Sequence, residues 1–114
     1  MLATYPIREN QGVKILELPK RLTGLQNGEE LEMVLEDLLS EGVKNVVLDF
    51  SQVSYIDTFV LGSLIREHLR YASRRSRLKI LNPAGKIRNV LAVTRLVTVL
   101  ECFDDEATAV GGFC

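Results

Sequence analysis

Near the middle of the chain, Asn45-Val46-Val47-Leu48-Asp49-Phe50 forms a short, apolar, β-branched run. Such a run reads as a strand buried on both faces, the kind found in sheets covered by helices. It asks for helices on either side of it in the sequence, and the chain supplies them. Upstream, Asn27-Gly28-Glu29-Glu30 has the form of a helix start, with Asn at the cap and an acid three residues on. Leu31, Val34, Leu35 and Leu38 then recur at helical spacing, with Glu29, Glu32 and Glu36 opposite, and Gly42 ends the helix. Downstream, residues 59–74 predict a second helix. At 100° steps Val60, Leu61, Leu64, Ile65, His68, Tyr71 and Ala72 share one face, and Arg66, Glu67 and Arg70 lie opposite.

The rest of the chain continues the alternation. Val13-Lys14-Ile15-Leu16-Glu17-Leu18 is a strand stopped by Pro19. Residues 5–9 are its expected hairpin partner across Asn10-Gln11-Gly12. A loop then runs to Asn27. Leu78-Lys79-Ile80-Leu81 is the next strand, closed by Asn82-Pro83. Residues 86–93 predict a short helix and 100–103 a last short strand. Residues 104–110 predict a terminal helix, with three acids in its first turn where the helix dipole favours them. The order ββαβαβαβα implies one α/β domain over 1–114, with a mainly parallel sheet and right-handed crossovers.

Composition removes several function classes. The 114 residues leave room for one domain, and a net charge of -1 does not describe a polyelectrolyte built for nucleic acid or anionic lipid. The longest uncharged stretches, such as 58–65, have eight residues; a bilayer span needs roughly 20. Met1-Leu2-Ala3-Thr4-Tyr5-Pro6 has no basic segment followed by an apolar run, so no signal peptide is expected and the expected compartment is the cytoplasm. Two cysteines, Cys102 and Cys114, without a CxxC, argue against a disulfide scaffold. With His68 the one histidine, no zinc site within one chain and no catalytic set are expected. Neither GxGxxG nor GxxxxGK[ST] occurs, so nucleotide binding by the usual loops has no support; no cofactor is expected, and the few cysteines and histidine give no metal set either.

The informative segment runs from Val47 to Gly62, between the central strand and the second helix. Asp57 or Thr58 would cap that helix. A hydroxyl there sits where backbone N–H groups point outward, a place that tolerates a phosphate. A phosphate adds about -1.5 to -2 charges, and the adjacent Asp57 would repel it. Phosphorylation of Thr58 would thus change what this surface binds without refolding the domain. The plainer alternative makes Thr58 a capping residue alone.

The pattern Leu48-Asp49-x-Ser51-x-Val53-x-x-Ile56-Asp57-Thr58-x-x-Leu61-Gly62 resembles the signature of STAS domains, in particular the anti-sigma factor antagonists (anti-anti-sigma factors). The likeness continues through Leu81-Asn82-Pro83, Val90-Leu91, Thr94-x-Leu96 and Phe103-Asp104-Asp105-Glu106. It implies a mixed sheet of about five strands with four helices packed mainly on one face. It implies binding to a cytosolic anti-sigma factor that is also a serine/threonine kinase with an ATP fold, which frees a sigma factor. It implies phosphorylation at the hydroxyl after the motif aspartate, here Thr58, and a phosphatase that resets it. The two positions after that hydroxyl, a small residue and then glycine in the family, are Phe59 and Val60 here. A STAS docking module in a stress-signalling scaffold or lipid-transport complex, without a phosphoswitch, is the alternative.

The expected partner surface comprises Asp57, Phe59, Gly62, Ser63 and Arg66, with Asp49 and Ser51 supporting the motif. Phe59 falls beside Ser63, Arg66 and Arg70, as an exposed anchor or folded back on Tyr55 or Phe50. Asp49 and Asp57 suit loop hydrogen bonding and capping better than acid–base work. His68 and Cys102 are expected in the core, and Cys114 as an exposed thiol. Nine of the fourteen basic residues lie between Arg66 and Arg95, and eight acids lie between Glu29 and Asp57. Arg66, Arg70 and Arg74 would form a ridge that steers an acidic partner or is simply solvated; no aromatic platform accompanies it, so direct nucleic-acid binding is not expected. The sequence leaves a homodimer open.

Overall fold

In the computed structural model, which describes residues 5–112, five strands form a mixed sheet in the order β1-β2-β4-β6-β7. Strands β1 (Ile7–Asn10) and β2 (Val13–Glu17) pair antiparallel. Gln11 and Gly12 join them with φ of 51° and 82°, the two positive values that a two-residue type I′ hairpin requires. Strands β4 (Asn45–Asp49), β6 (Arg77–Leu81) and β7 (Cys102–Phe103) then add parallel.

The central run reads as expected. Val46, Val47 and Leu48 are all 0% exposed, and alternate residues enter different cores. Val46 and Leu48 join Leu16, Ile80 and the apolar sides of helices α1 (Glu29–Ser40), α2 (Thr58–Ser73) and α3 (Gly85–Val93). Val47 joins Val13, Ile15 and Leu81 under Ala109 and Val110 of α4 (Glu106–Gly111). Three helices therefore cover one face and one short helix covers the other. Buried Lys79 fixes α4: its Nζ donates to the Gly112 carbonyl at 2.8 Å and lies 4.8 Å from the centre of the Phe103 ring. A cation at carbonyls left open by a helix end is favourable.

Several expectations shift. The stretch expected as a loop before α1 holds β3 (Arg21–Leu22), which pairs parallel with β5 (Tyr55–Ile56), and a π-helical turn, Gly24–Gly28. Asn27 does not cap α1. Thr23 caps the π turn, accepting from the Gln26 N–H at 3.1 Å, and Asn27 turns back to accept from the Thr23 N–H at 2.8 Å. Thr23-x-x-Gln26 carries the same start signature four residues earlier. At the far end Gly42, at φ 91°, and Val43 donate to the Leu39 and Leu38 carbonyls, a Schellman motif. The last helix starts after Asp105, which accepts from the Thr108 N–H at 2.9 Å. Cys102 is half-buried, and burial pushes its thiol pKa up; Cys114 lies outside the described residues.

The largest correction concerns the face of α2. Ile65 is 42% exposed, Ala72 is exposed and His68 is half-buried, while Glu67 is fully buried with Ser63 and Tyr71. The stripe Ser63–Glu67–Tyr71 faces α1, which presents Glu32 and Glu36 as well as leucines. The Tyr71 hydroxyl donates to the Leu35 carbonyl at 2.6 Å. Arg66 pairs with Glu32 at 2.8 Å, and Arg70 pairs with Glu36 and Glu67 at 3.3 Å each. The segregated charges of the sequence thus pair with one another along the α1–α2 seam, at its solvent edge, and only part of the arginine ridge faces outward alone.

Candidate functional site

The head of α2 is organised by one carboxylate. Asp57 has extended backbone, and its Oδ1 accepts from the Val60 N–H at 3.0 Å. Its Oδ2 accepts from the Gly24 N–H at 2.9 Å, so one side chain caps α2 and ties down the π turn before α1. The Asp57 N–H donates to the Leu22 carbonyl at 3.1 Å. The Gly24 N–H first, then that of Val60, hold the Asp57 carboxyl below the usual carboxylate range. Asp57 is therefore the cap, and Thr58 is not. Thr58 is the first residue of the helix, exposed, and its hydroxyl has no hydrogen-bond partner among the described residues. That hydroxyl lies at the end of a 16-residue helix where backbone N–H groups point outward.

Phe59 is 52% exposed, and the two aromatics expected to receive it have surroundings of their own. Phe50 is in the core, and the guanidinium of Arg21 covers Tyr55 at 4.5 Å. Instead the Phe59 side chain lies against two glycines of the π turn. A Cβ at Gly24 would fall 2.6 Å from Phe59 Cβ, and one at Gly28 would fall 2.6 Å from Phe59 Cε1. The Arg66 guanidinium sits 5.9 Å from the ring centre, at the outer limit of a cation–π contact. Leu25, between the two glycines, is 98% exposed. Sequence reasoning missed Gly24, Leu25 and Gly28; the Gly-x-x-x-Gly spacing just before a helix was the available signal, because glycine marks close approach of another group.

Asp57, Thr58, Phe59, Gly62 and Arg66 are thus gathered at one end of α2. Gly62 is half-buried, and a Cβ there would meet only Arg66 Nη1, at 3.5 Å. Ser63 does not belong to this surface as expected. It is fully buried, donates to Glu32 Oε2 at 2.6 Å and accepts from Arg66 Nη2 at 3.1 Å. Its role is to hold Arg66 and Glu32, because the α1–α2 seam covers it. Asp49 and Ser51 form a separate network. Asp49 Oδ1 accepts from the Ser51 N–H at 2.9 Å and from its hydroxyl, and Asn82 Nδ2 donates to Ser51 Oγ at 3.3 Å. They shape the loop leaving β4. Asp49 and Asp57 act in different hydrogen-bond networks.

Glu32, Glu36 and Glu67 bring carboxylate oxygens within 4.8 Å of one another. Arg66 and Arg70 already supply positive charge there. No helix among the described residues is long and apolar enough to cross a membrane.

The STAS domain family model matches residues 4–109. A Thermotoga neapolitana protein provisionally named an anti-sigma factor antagonist is 24% identical over 101 residues, 88% of each chain. The crystal structure of a Thermotoga maritima protein of the same provisional name superposes with a TM-score of 0.85 at 24% identity, covering 95% of this chain and 92% of that one. The Bacillus cell fate determinant SpoIIAA in its phosphorylated form superposes with a TM-score of 0.73 at 15% identity, covering 97% and 100%. The murine anion transporter Slc26a9 superposes at 0.70 and 19% identity, over 90% of this chain and 18% of its own. At such identities the superpositions speak to the fold.

Proposed function

This chain belongs to the STAS domain family, and from that premise we propose that it is a cytoplasmic anti-sigma factor antagonist switched by phosphorylation at Thr58. Its partner is an anti-sigma factor with an ATP-fold serine/threonine kinase activity. Binding occurs around the head of α2, with Asp57, Phe59, Gly62 and Arg66 in the contact, and frees a sigma factor. The kinase then transfers the terminal phosphoryl group of ATP to Thr58 Oγ, the hydroxyl proton leaves and ADP is released. A phosphatase hydrolyses the phosphoester and resets the cycle.

One observation carries this reading: Asp57 does all of the side-chain capping, and the next hydroxyl stands exposed and uncommitted. Modification therefore breaks no structural bond. It places a dianion beside a carboxylate already held in its charged form. A partner surface fitted to the neutral hydroxyl then meets two adjacent negative groups and must desolvate both. SpoIIAA, with which this chain shares its fold, has been solved in phosphorylated and unphosphorylated forms.

The test uses the anti-sigma factor kinase of the source organism, recovered on immobilised Thr58→Ala protein and identified by mass spectrometry. With ATP it should phosphorylate the native chain at Thr58 and leave Thr58→Ala unmodified. Thr58→Glu should bind it at least about tenfold more weakly than Thr58→Ala. Equal binding by both variants, with no phosphate at Thr58, would replace the switch by a docking module without one.

A further inference from the structure

Helix α2 buries a carboxyl group that the proposed function does not use. Glu67 is 0% exposed, midway along the seam between α1 and α2. Its Oε2 accepts from Arg70 Nε at 3.3 Å, while its Oε1 is buried without a hydrogen-bond partner among the described residues. An ionised oxygen left this way is more unfavourable than one ordinary hydrogen bond can offset. A proton removes that charge, and the neighbours favour it: Glu32, Glu36 and Glu67 each bring a carboxylate oxygen within 4.8 Å of the others, so three full negative charges there repel. The nearby cations are already engaged, Arg66 with Glu32 and Arg70 with Glu36 and Glu67. Three carboxylates share two guanidiniums, and one proton completes neutrality.

We propose that Glu67 is held as a neutral carboxylic acid in the α1–α2 seam, and that its ionisation redraws the Arg66 and Arg70 ion pairs and so shifts the Phe59 ring at the head of the helix. Glu32 and Glu36 act on it from α1, and Arg70 acts from its own helix; Glu67 in turn acts on Arg66 and Tyr71. An ionised Glu67 competes with Glu36 for Arg70 and draws on Arg66, now held by Glu32 and Ser63. Arg66 lies over Phe59, so the seam and the exposed aromatic share one side chain. Burial first, with Glu36 and Glu32 adding to it against Arg70, pushes Glu67 up to about 7. A group raised in the folded state stabilises fully below its unfolded value, and that stability declines as pH rises through about 7. This inference is independent of whether Thr58 is modified.

Carbon-13 NMR of the full chain tests it without mutation. Across about pH 4 to 9 the Glu67 carboxyl should titrate near 7, and the Phe59 ring signals should follow the same midpoint. In Glu67→Gln, which mimics the neutral acid, the Phe59 signals should stay flat across that step. Denaturant unfolding should show the native chain losing on the order of a hundredfold in its folded-to-unfolded ratio between about pH 5 and 9, relative to Glu67→Gln. A Glu67 midpoint in the ordinary glutamate range would overturn the neutral acid. Phe59 signals that ignore the Glu67 step would overturn the relay.

Discussion

Asp57 and Glu67 sit on one helix, about 15 Å apart along its axis, and their surroundings drive them in opposite directions. Asp57 has both oxygens satisfied by backbone N–H groups and stays charged. Glu67 has an oxygen with no partner among the described residues, two carboxylates for neighbours, and a pKa pushed up to about 7. The head of α2 uses charge to join two helix starts, and every charge there has a geometric partner. The seam instead joins the two helices by ion pairs in which three carboxylates share two guanidiniums. Local order at the head therefore rests on steric fit and backbone hydrogen bonds, whereas the seam adds to its buried leucines a set of charges sensitive to pH.

The largest expected effect strikes the fit between Phe59 and the π turn. Gly28→Val forces a branched side chain into the ring, and overpacking of this kind costs about 1–3 kcal/mol. Chemical denaturation should show that loss, and it should shrink in Gly28→Val combined with Phe59→Ala, because the obstacle is gone. If the loss survives without the ring, Phe59 does not set the packing at the head, and the contrast with the seam loses its steric half.

Next comes the cap. Asp57→Ala removes both backbone contacts at once, and a lost cap costs about 0.5–2 kcal/mol. The pH dependence separates this carboxylate from Glu67. Asp57 is lowered in the folded state, so its contribution is present above its unfolded value and is lost as pH falls through the folded one. The native chain and Asp57→Ala should therefore converge in stability in acid and separate at neutral pH with the native chain the more stable, whereas in the Glu67→Gln comparison the native chain is the one that falls behind as pH rises. A gap that stays constant from acid to neutral pH would mean that the side chain matters by shape alone.

How much of this was legible depends on what each signal needs. The central strand was readable because Val46, Val47 and Leu48 carry their burial in their own side chains. The Gln11-Gly12 turn and the Gly42 stop were readable because backbone conformation there depends on residue type. The pair β3 and β5 was not, since two-residue strands have no period to detect. The face of α2 was read in part: Val60, Leu61, Leu64 and Tyr71 are buried as expected, but a helical wheel that ranks residues by hydropathy put Ile65, His68 and Ala72 with them and Glu67 outside. Such a wheel cannot know that α1 offers Glu32 to Ser63 and Arg66, or a carbonyl to Tyr71, which together make a polar stripe the inward one. Phe59 lay between its two expectations because its actual neighbours, Gly24 and Gly28, are more than 30 positions away in sequence. Asp57 and Thr58 were legible as a pair, and the geometry divides the labour between them.

That division makes the smallest expected effect the most discriminating. Thr58→Glu should change stability by no more than about 0.5 kcal/mol, because the residue is exposed and holds no bond. Two contributions act on the new carboxylate and oppose each other. The open N–H groups of the first turn favour it, and the charged Asp57 next to it does not. Neither exceeds a fraction of a kcal/mol at an exposed helix end, so thermal melts of Thr58→Glu and Thr58→Ala should nearly superpose. A melt several degrees lower for Thr58→Glu would show that added charge reaches Asp57 strongly enough to loosen its hold on Gly24. Any loss of partner binding would then report a disturbed π turn. If the melts superpose and binding still differs, the head of α2 tolerates charge on its outside while the seam, with its buried Glu67, responds to charge on its inside.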